Sequence, residues 1–276
     1  MLDHLQALAD NSDRFRAAIA ATAGPDGALS ATVSVPACPD WSAADLAWHL
    51  TEVQYVWARM VGDGLARYVD LPPLVRPDLD AALPELFGTW NQRLRTVLAE
   101  REPSQPCWSW HPTGGNVAWV RRRQAQEALI HRVDAEQTAG VSGHGAVGPI
   151  DEALAADGID EILSVMMSAD PVPTWGRFEA EDAGMRLVAG PRRWDLVLGR
   201  LVGTDDDGVD RDLESVRLIA EGDEGPEPTS TISGSAAAID LWLWRRRSLD
   251  DGPGGAMEVV GDRELAARLQ GLAAIT

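Results

Sequence analysis

The sequence contains no lysine, and all 24 of its basic residues are arginine. Protein chemistry does not require this choice, but a GC-rich genome would produce it, because arginine codons can be GC-rich and lysine codons are not. The arginines are outnumbered by 43 acidic residues, which gives a formal net charge of −19. A surface this negative repels phosphate backbones and anionic lipid, so we expect neither nucleic acid nor a membrane as partner.

Cysteine and long apolar runs are also scarce. Cys38 and Cys107 form neither a closely spaced metal-binding or redox pair nor a disulfide framework, which fits a reducing compartment. The apolar runs are too short to span a bilayer. The N-terminus lacks the basic flank and the apolar stretch of a secretory signal. We therefore expect a cytoplasmic protein in which both cysteines are structural.

The first half of the chain has the periodicity of helices. Apolar residues recur every three or four positions in four segments, approximately 2–22, 42–61, 79–101 and 117–138. Ser42 is placed to cap the second helix, with Asp45 three residues later. Four helices joined by mostly moderate connections predict an antiparallel bundle.

A segment rich in glycine and small residues, 138–150, reads as a linker, so we place two domains at 1–147 and 148–276. After one helix, 151–167, come five short strand-like runs: RFEAE, MRLVA, WDLVLG, SVRLIA and TSTIS. A helix over 235–247, a strand and a last helix complete the pattern. The second half is therefore predicted to be an α+β domain.

Three polar side chains are predicted to face the core of the bundle. Glu127 and His131 are four residues apart on the fourth helix, and His49 lies among the apolar residues of the second. A buried carboxylate and imidazole are costly unless they are paired or bind a metal. Two histidines and one glutamate are typical of a catalytic zinc site with one open position. A salt bridge and hydrogen-bonded core histidines remain the alternatives.

Four segments resemble, in order, the mycothiol-dependent maleylpyruvate isomerase family. ACPDWSAADLAWHL (37–50) resembles its Cys-Pro-x-Trp…Asp-Leu…His-Leu signature, and WVRRRQAQEALIHRVDAE (119–136) resembles its W-x-x-R…E-x-x-x-H-R-x-D-A-E helix. LAADGIDEIL (154–163) and ISGSAAAIDLWLWRRR (232–247) are similar to two segments of its C-terminal domain. Each motif is loose alone, but the combination is specific and covers nearly the whole chain.

The resemblance implies a fold and a cofactor set. The first domain would be a DinB-like four-helix bundle, and the second a small α/β module like the sterol-carrier folds. His49, Glu127 and His131 stand where the family holds its divalent metal, expected to be zinc. The thiol cofactor would be mycothiol, which is actinobacterial, in agreement with the GC-rich composition. The characterised activity of the family is cis–trans isomerisation of maleylpyruvate to fumarylpyruvate, and relatives transfer mycothiol.

The chemistry of that family suits such a site. A metal stabilises the thiolate of a bound thiol, and the thiolate is the nucleophile. It adds to an activated double bond, the resulting single bond rotates, and elimination returns the thiol. Arginines would hold the substrate carboxylates. Arg245, Arg246 and Arg247, at the end of the late helix, are our candidates, with favourable charges at a helix C-terminus as the equal alternative.

The first domain offers few obvious inward arginines near the ligands. Arg122 and Arg123 precede Glu127 by a turn or more, and Arg132 is expected to point away from His131. We therefore expect a cleft between the domains, lined by the metal triad and by at least one of the late arginines.

Three functions remain open from the sequence. The first is a mycothiol-dependent isomerase or S-transferase acting on a small anionic electrophile or activated alkene. The second is a DinB-like metal protein that uses another thiol or none. The third is a non-catalytic binding protein on the same scaffold. The substrate, the metal and the oligomeric state do not follow from the residues.

Overall fold

The computed structural model describes residues 2–141, 146–220, 222–250 and 257–273. The chain divides into two compact units, Met1–Pro149 and Ile150–Thr276. The first is mainly helical, and the second combines a five-stranded sheet with helices, so the fold is α+β. In the described part of the chain, no helix is both long enough and apolar enough to cross a membrane.

The first unit contains the four predicted helices. They are α1 (His4–Ala20), α2 (Ala43–Gly62), α3 (Leu83–Glu100) and α4 (Val117–Val141). Helix α3 begins later than predicted because residues 80–82 form a separate 3₁₀ turn, and Pro84 stands in its first turn, where a missing N–H is tolerated. Two short antiparallel ribbons were not predicted: β1 (Ser34–Val35) with β2 (Cys38–Ser42), and β3 (Pro106–Cys107) with β4 (Gly115–Asn116).

Helix α2 begins at a capping box, as the sequence predicts. The Ser42 hydroxyl accepts a hydrogen bond from the backbone N–H of Asp45 at 3.2 Å, and the Asp45 carboxylate accepts one from the backbone N–H of Ser42 at 3.0 Å. Arg76 donates to the other oxygen of Asp45 at 2.6 Å. The cap fixes the first residue of α2, and with it the direction in which every later side chain of the helix points.

Helices α2 and α4 run antiparallel beside each other. Near the start of α2, the His49 ring lies 4.8 Å from the ring of His131, and eight residues later Trp57 lies 5.5 Å from Trp119. Residues later in α2 therefore contact residues earlier in α4, as expected for antiparallel helices. Helix α4 also packs on α1, and α2 packs on α3. As a result, α4 is buried on almost every side between residues 123 and 139.

The second unit is built on one mixed sheet. Its elements are α5 (Glu152–Glu161), β5 (Gly176–Ala189), β6 (Arg192–Thr204), β7 (Asp210–Leu218), β8 (Pro228–Ser233), α6 (Ala236–Leu243), β9 (Glu258–Gly261) and α7 (Arg263–Leu272). The strand order is β7-β6-β5-β8-β9, in which the β5–β8 pair is parallel and the other pairs are antiparallel. Helices α5 and α6 pack together, and α7 packs on the sheet.

Several elements of the second unit differ from those predicted. RFEAE and MRLVA are parts of one strand, β5, which is interrupted by a bulge between Ala180 and Gly184. The helix expected over 151–167 ends at Glu161 and continues as a single π turn. The helix expected over 235–247 ends at Leu243, because Arg245 has a φ of 61° that a right-handed helix cannot contain. The three late arginines therefore follow the helix instead of forming its last turn.

Candidate metal centre

Helices α2 and α4 bring together the three ligand residues expected from the sequence. One carboxylate oxygen of Glu127, Oε1, lies 3.1 Å from Nε2 of His131 and 3.5 Å from Nε2 of His49. Each residue offers one possible ligand atom, and these three atoms all lie within 4.8 Å of one another. Glu127 and His131 meet because they are one turn apart on α4, and His49 reaches them from the facing helix.

The spacing of these atoms suits a small divalent metal. Two ligands at the usual zinc distance of roughly 2.0–2.1 Å and at a tetrahedral angle lie about 3.3 Å apart. The two distances from Glu127 Oε1, 3.1 and 3.5 Å, lie on either side of that value. Two imidazoles and one carboxylate leave a tetrahedral metal one further position. The site could therefore hold zinc and still accept a ligand.

Exposure differs across the site. The His131 side chain is 6% exposed, whereas the side chains of Glu127 and His49 are 18% and 26% exposed. The site is therefore closed behind His131 and reachable from the side of His49. Trp41, which is also partly buried, packs beside the imidazoles, with its ring 4.7 Å from that of His49 and 6.4 Å from that of His131.

Arg123 binds the second oxygen of Glu127. Its guanidinium donates to Oε2 at 2.7 Å, and its side chain is only 4% exposed. Burial raises the pKa of the Glu127 carboxyl, but the charge of Arg123 and the hydrogen bonds from His131 and His49 outweigh it and hold that pKa well below its usual range. Arg123, which the sequence analysis set aside because it precedes Glu127 by a turn, therefore lies at the site. The spacing of four residues was a usable signal.

Asp134 is a second buried partner that the sequence analysis did not single out. Its carboxylate is fully buried and lies 2.9 Å from Nδ1 of His131, three residues earlier on α4. Burial lowers the pKa of the His131 imidazole, but the hydrogen bonds with Asp134 and Glu127 outweigh it and raise that pKa to about 9 in the metal-free protein. The spacing of three residues from His131 could have indicated this contact.

The three late arginines lie in the second unit. Arg245 donates to the backbone oxygens of Gln270 and Gly271, at the end of α7, and Arg246 is buried and donates to the backbone oxygen of Trp244. Arg245 and Arg247 line an open cavity of about 680 Å³ together with Arg263. Their role toward a substrate stays a prediction.

Arg132 points away from the ligands, as the sequence analysis expects. It is 1% exposed, and its guanidinium donates to the backbone oxygens of Gly148 and Pro149. Of these two buried arginines on α4, Arg123 therefore contacts a residue of the site, and Arg132 contacts the backbone at the end of the first unit.

Comparison with known proteins gives one family and one fold. Residues 5–136 match the family model of the mycothiol maleylpyruvate isomerase N-terminal domain, a range that contains all three ligand residues together with Arg123 and Asp134. No curated protein matches this chain significantly.

Two similar solved structures share the fold. A crystal structure of the mycothiol-dependent maleylpyruvate isomerase is 15% identical, with a TM-score of 0.55, over 91% of each chain. The crystal structure of a histidine-to-alanine mutant of that isomerase is 14% identical, with a TM-score of 0.52, over 87% of this chain and 86% of the other. At such low identity, the likeness shows a common fold and no more.

Proposed function

Because the first unit of this chain belongs to the mycothiol maleylpyruvate isomerase N-terminal domain family, we propose that the protein is a metal-dependent enzyme that uses a small thiol. Its reaction would be isomerisation of an activated alkene, or transfer of the thiol to an electrophile. The observation that carries the proposal is the position of Glu127 Oε1, in contact with both imidazoles on the partly exposed side of the site.

His49, Glu127 and His131 would hold the metal, and zinc suits this donor set. When bound, the metal would stabilise the thiolate form of a thiol at neutral pH. Trp41 would exclude water from one side of the imidazoles, which strengthens the electrostatic interactions within the site. Arg123 neutralises the charge of Glu127. The net charge of a metal dication and its ligands would therefore be more positive than it would be without Arg123, which favours an anionic ligand at the metal.

The finer assignments belong to the same proposal. We take mycothiol as the thiol, an actinobacterial source and a cytoplasmic location. We take a DinB-like bundle for the first unit and a sterol-carrier-like module for the second. Arg245, Arg246 and Arg247 are proposed to bind a substrate carboxylate. Loss of such a partner weakens substrate binding, and loss of a metal ligand abolishes turnover.

Metal analysis and ligand titration test the proposal together. We expect one zinc per chain in the purified protein and loss of that zinc in His131→Ala. With zinc present, mycothiol should raise the melting temperature of the wild type, because a ligand that binds only the native state stabilises it. The product of maleylpyruvate incubated with protein and mycothiol is then identified by chromatography.

Each outcome of these measurements has a distinct meaning. His131→Ala that retains the full zinc content contradicts the metal assignment. Stabilisation by glutathione or cysteine and not by mycothiol contradicts the choice of thiol. Zinc and thiol binding without conversion of maleylpyruvate, or of other small activated alkenes and electrophiles, leaves a binding protein in place of an enzyme.

A further inference from the structure

We propose that Asp134 is a positioning residue that fixes the orientation of the His131 ring, so that Nε2 faces the point where Glu127 and His49 converge. This inference deepens the proposed function and rests on the metal site in it. Asp134 would act through His131 and would touch neither the metal nor the substrate.

The geometry of α4 supports this role. Asp134 lies 2.9 Å from Nδ1 of His131, and Glu127 Oε1 lies 3.1 Å from the Nε2 atom of the same ring. Rotation of the ring by half a turn would exchange nitrogen and carbon positions and lose both contacts. The carboxylate requires a proton on Nδ1, and a neutral imidazole with that proton keeps the Nε2 lone pair free for a metal.

The two histidines are held by different means. The His49 ring packs against Trp41 at 4.7 Å, on the more exposed side of the site. His131 is buried, and a carboxylate with no solvent exposure sets its tautomer. A carboxylate at this depth is costly unless it is fully hydrogen-bonded, so a shorter or apolar residue would be the cheaper choice for packing alone.

A second acid on the same helix supplies a matched control. Glu136 follows Asp134 by two residues and is also mostly buried, but it binds Arg14 of α1 at 2.7 Å and does not contact a ligand residue. Asp134→Asn and Glu136→Gln each remove one negative charge and keep the shape of the side chain. Asp134→Ala and Glu136→Ala also remove the hydrogen-bonding group.

Zinc affinity is measured first, by competition with a chromogenic chelator in metal-depleted full-length protein. Removal of a group that orients a ligand costs roughly 10–100-fold in metal affinity. We expect a loss of that size in Asp134→Ala, a smaller loss in Asp134→Asn because its amide oxygen still accepts a hydrogen bond, and affinities close to the wild type in both Glu136 variants. If Asp134→Ala does not fold, Asp134→Asn and Glu136→Gln are compared.

The tautomer is measured second, in zinc-bound protein with ¹⁵N-labelled histidine. We expect a slowly exchanging Nδ1–H proton on His131 in the wild type, and its loss or rapid exchange in Asp134→Ala. A purely structural carboxylate would leave this signal unchanged. Equal zinc affinity in Asp134→Ala and Glu136→Ala, or an unchanged tautomer signal, overturns this inference and leaves the proposed function intact. A wild type that binds no zinc overturns both.

Discussion

Glu127 is a carboxylate whose two oxygens serve different groups. Oε1 faces the imidazoles of His49 and His131, and Oε2 receives the guanidinium of Arg123. Arg123 therefore compensates the buried charge of Glu127 whether or not a metal is bound, and a metal would be a second cation acting on the same carboxylate.

Replacement of Arg123 should show that Arg123 and the metal both compensate the charge of Glu127. In Arg123→Met, Glu127 loses its buried cation, and breaking such a pair costs about 3–5 kcal/mol of unfolding free energy. We expect the loss to be largest in metal-free protein and to shrink with zinc, because zinc replaces the missing positive charge. Urea unfolding of wild type and variant, each with chelator and with excess zinc, measures the difference.

Arg132→Met is the control for that measurement, since Arg132 is equally buried but donates to backbone oxygens. Its loss of stability should be the same with and without zinc. A zinc-independent loss in Arg123→Met would show that the metal and Arg123 do not share the charge of Glu127.

At the residue scale, the sequence pointed to three residues that the fold brings together, and it missed their partners. His49, Glu127 and His131 stand out because titratable groups on an apolar helix face are unusual. Arg123 and Asp134 do not stand out, because a charged residue is by default expected in solvent. Helix α4 is buried on almost every side, so its charged residues are buried as well. A periodicity argument assigns only one inward face to a helix and cannot predict burial on all sides.

At the scale of elements, the cap at the start of α2 depends on the ionised carboxylate of Asp45. Burial raises the pKa of the Asp45 carboxyl, but hydrogen bonds from Arg76 and Ser42 outweigh it and bring that pKa below its ordinary value. A carboxyl whose pKa is lower in the folded protein contributes stability above its unfolded pKa, about 3.9. That contribution is lost as the pH falls through the folded pKa.

We therefore expect Asp45→Asn to be less stable than the wild type at pH 7, and the difference to shrink as the pH falls below about 4. Urea unfolding over a series of pH values measures it. Asp40→Asn removes the same charge from an exposed residue outside the cap and shows the effect of net charge alone. A stability difference for Asp45→Asn that is the same at pH 7 and pH 3 would contradict the role of the ionised cap.

Helices α1, α2 and α3 were predicted because apolar residues recur along one face of each, and the misplaced boundaries have physical causes. Three of the four residues 244–247 are arginine, which is a good helix former, but Arg245 adopts a left-handed conformation and donates to the backbone at the end of α7. That tertiary contact overrides local propensity. The ribbons β1–β2 and β3–β4 were missed because three of their strands have only two residues, and the fourth, β2, contains Pro39 and Asp40, which are rare in strands.

At the scale of the whole molecule, all residues of the candidate metal centre lie in the first unit. The fragment 1–149 also contains a buried core that includes residues of α1, α2, α3 and α4. We expect this fragment to fold alone and to bind one zinc. Circular dichroism and elemental analysis of the fragment, with its His131→Ala variant as control, check this. A folded fragment without zinc, beside a full-length protein that holds it, would show that the second unit contributes to the metal site.

The four residues of the α4 site are set by the phase of the helix. At about 100° per residue, Arg123, Glu127, His131 and Asp134 fall within an arc of roughly 80°. A single residue inserted between Glu127 and His131 would rotate His131 and Asp134 by about 100° and break the ligand set and the contact with His49 together. A relative that keeps the site is thus expected to keep the length of this stretch of α4, even where the rest of its sequence has diverged.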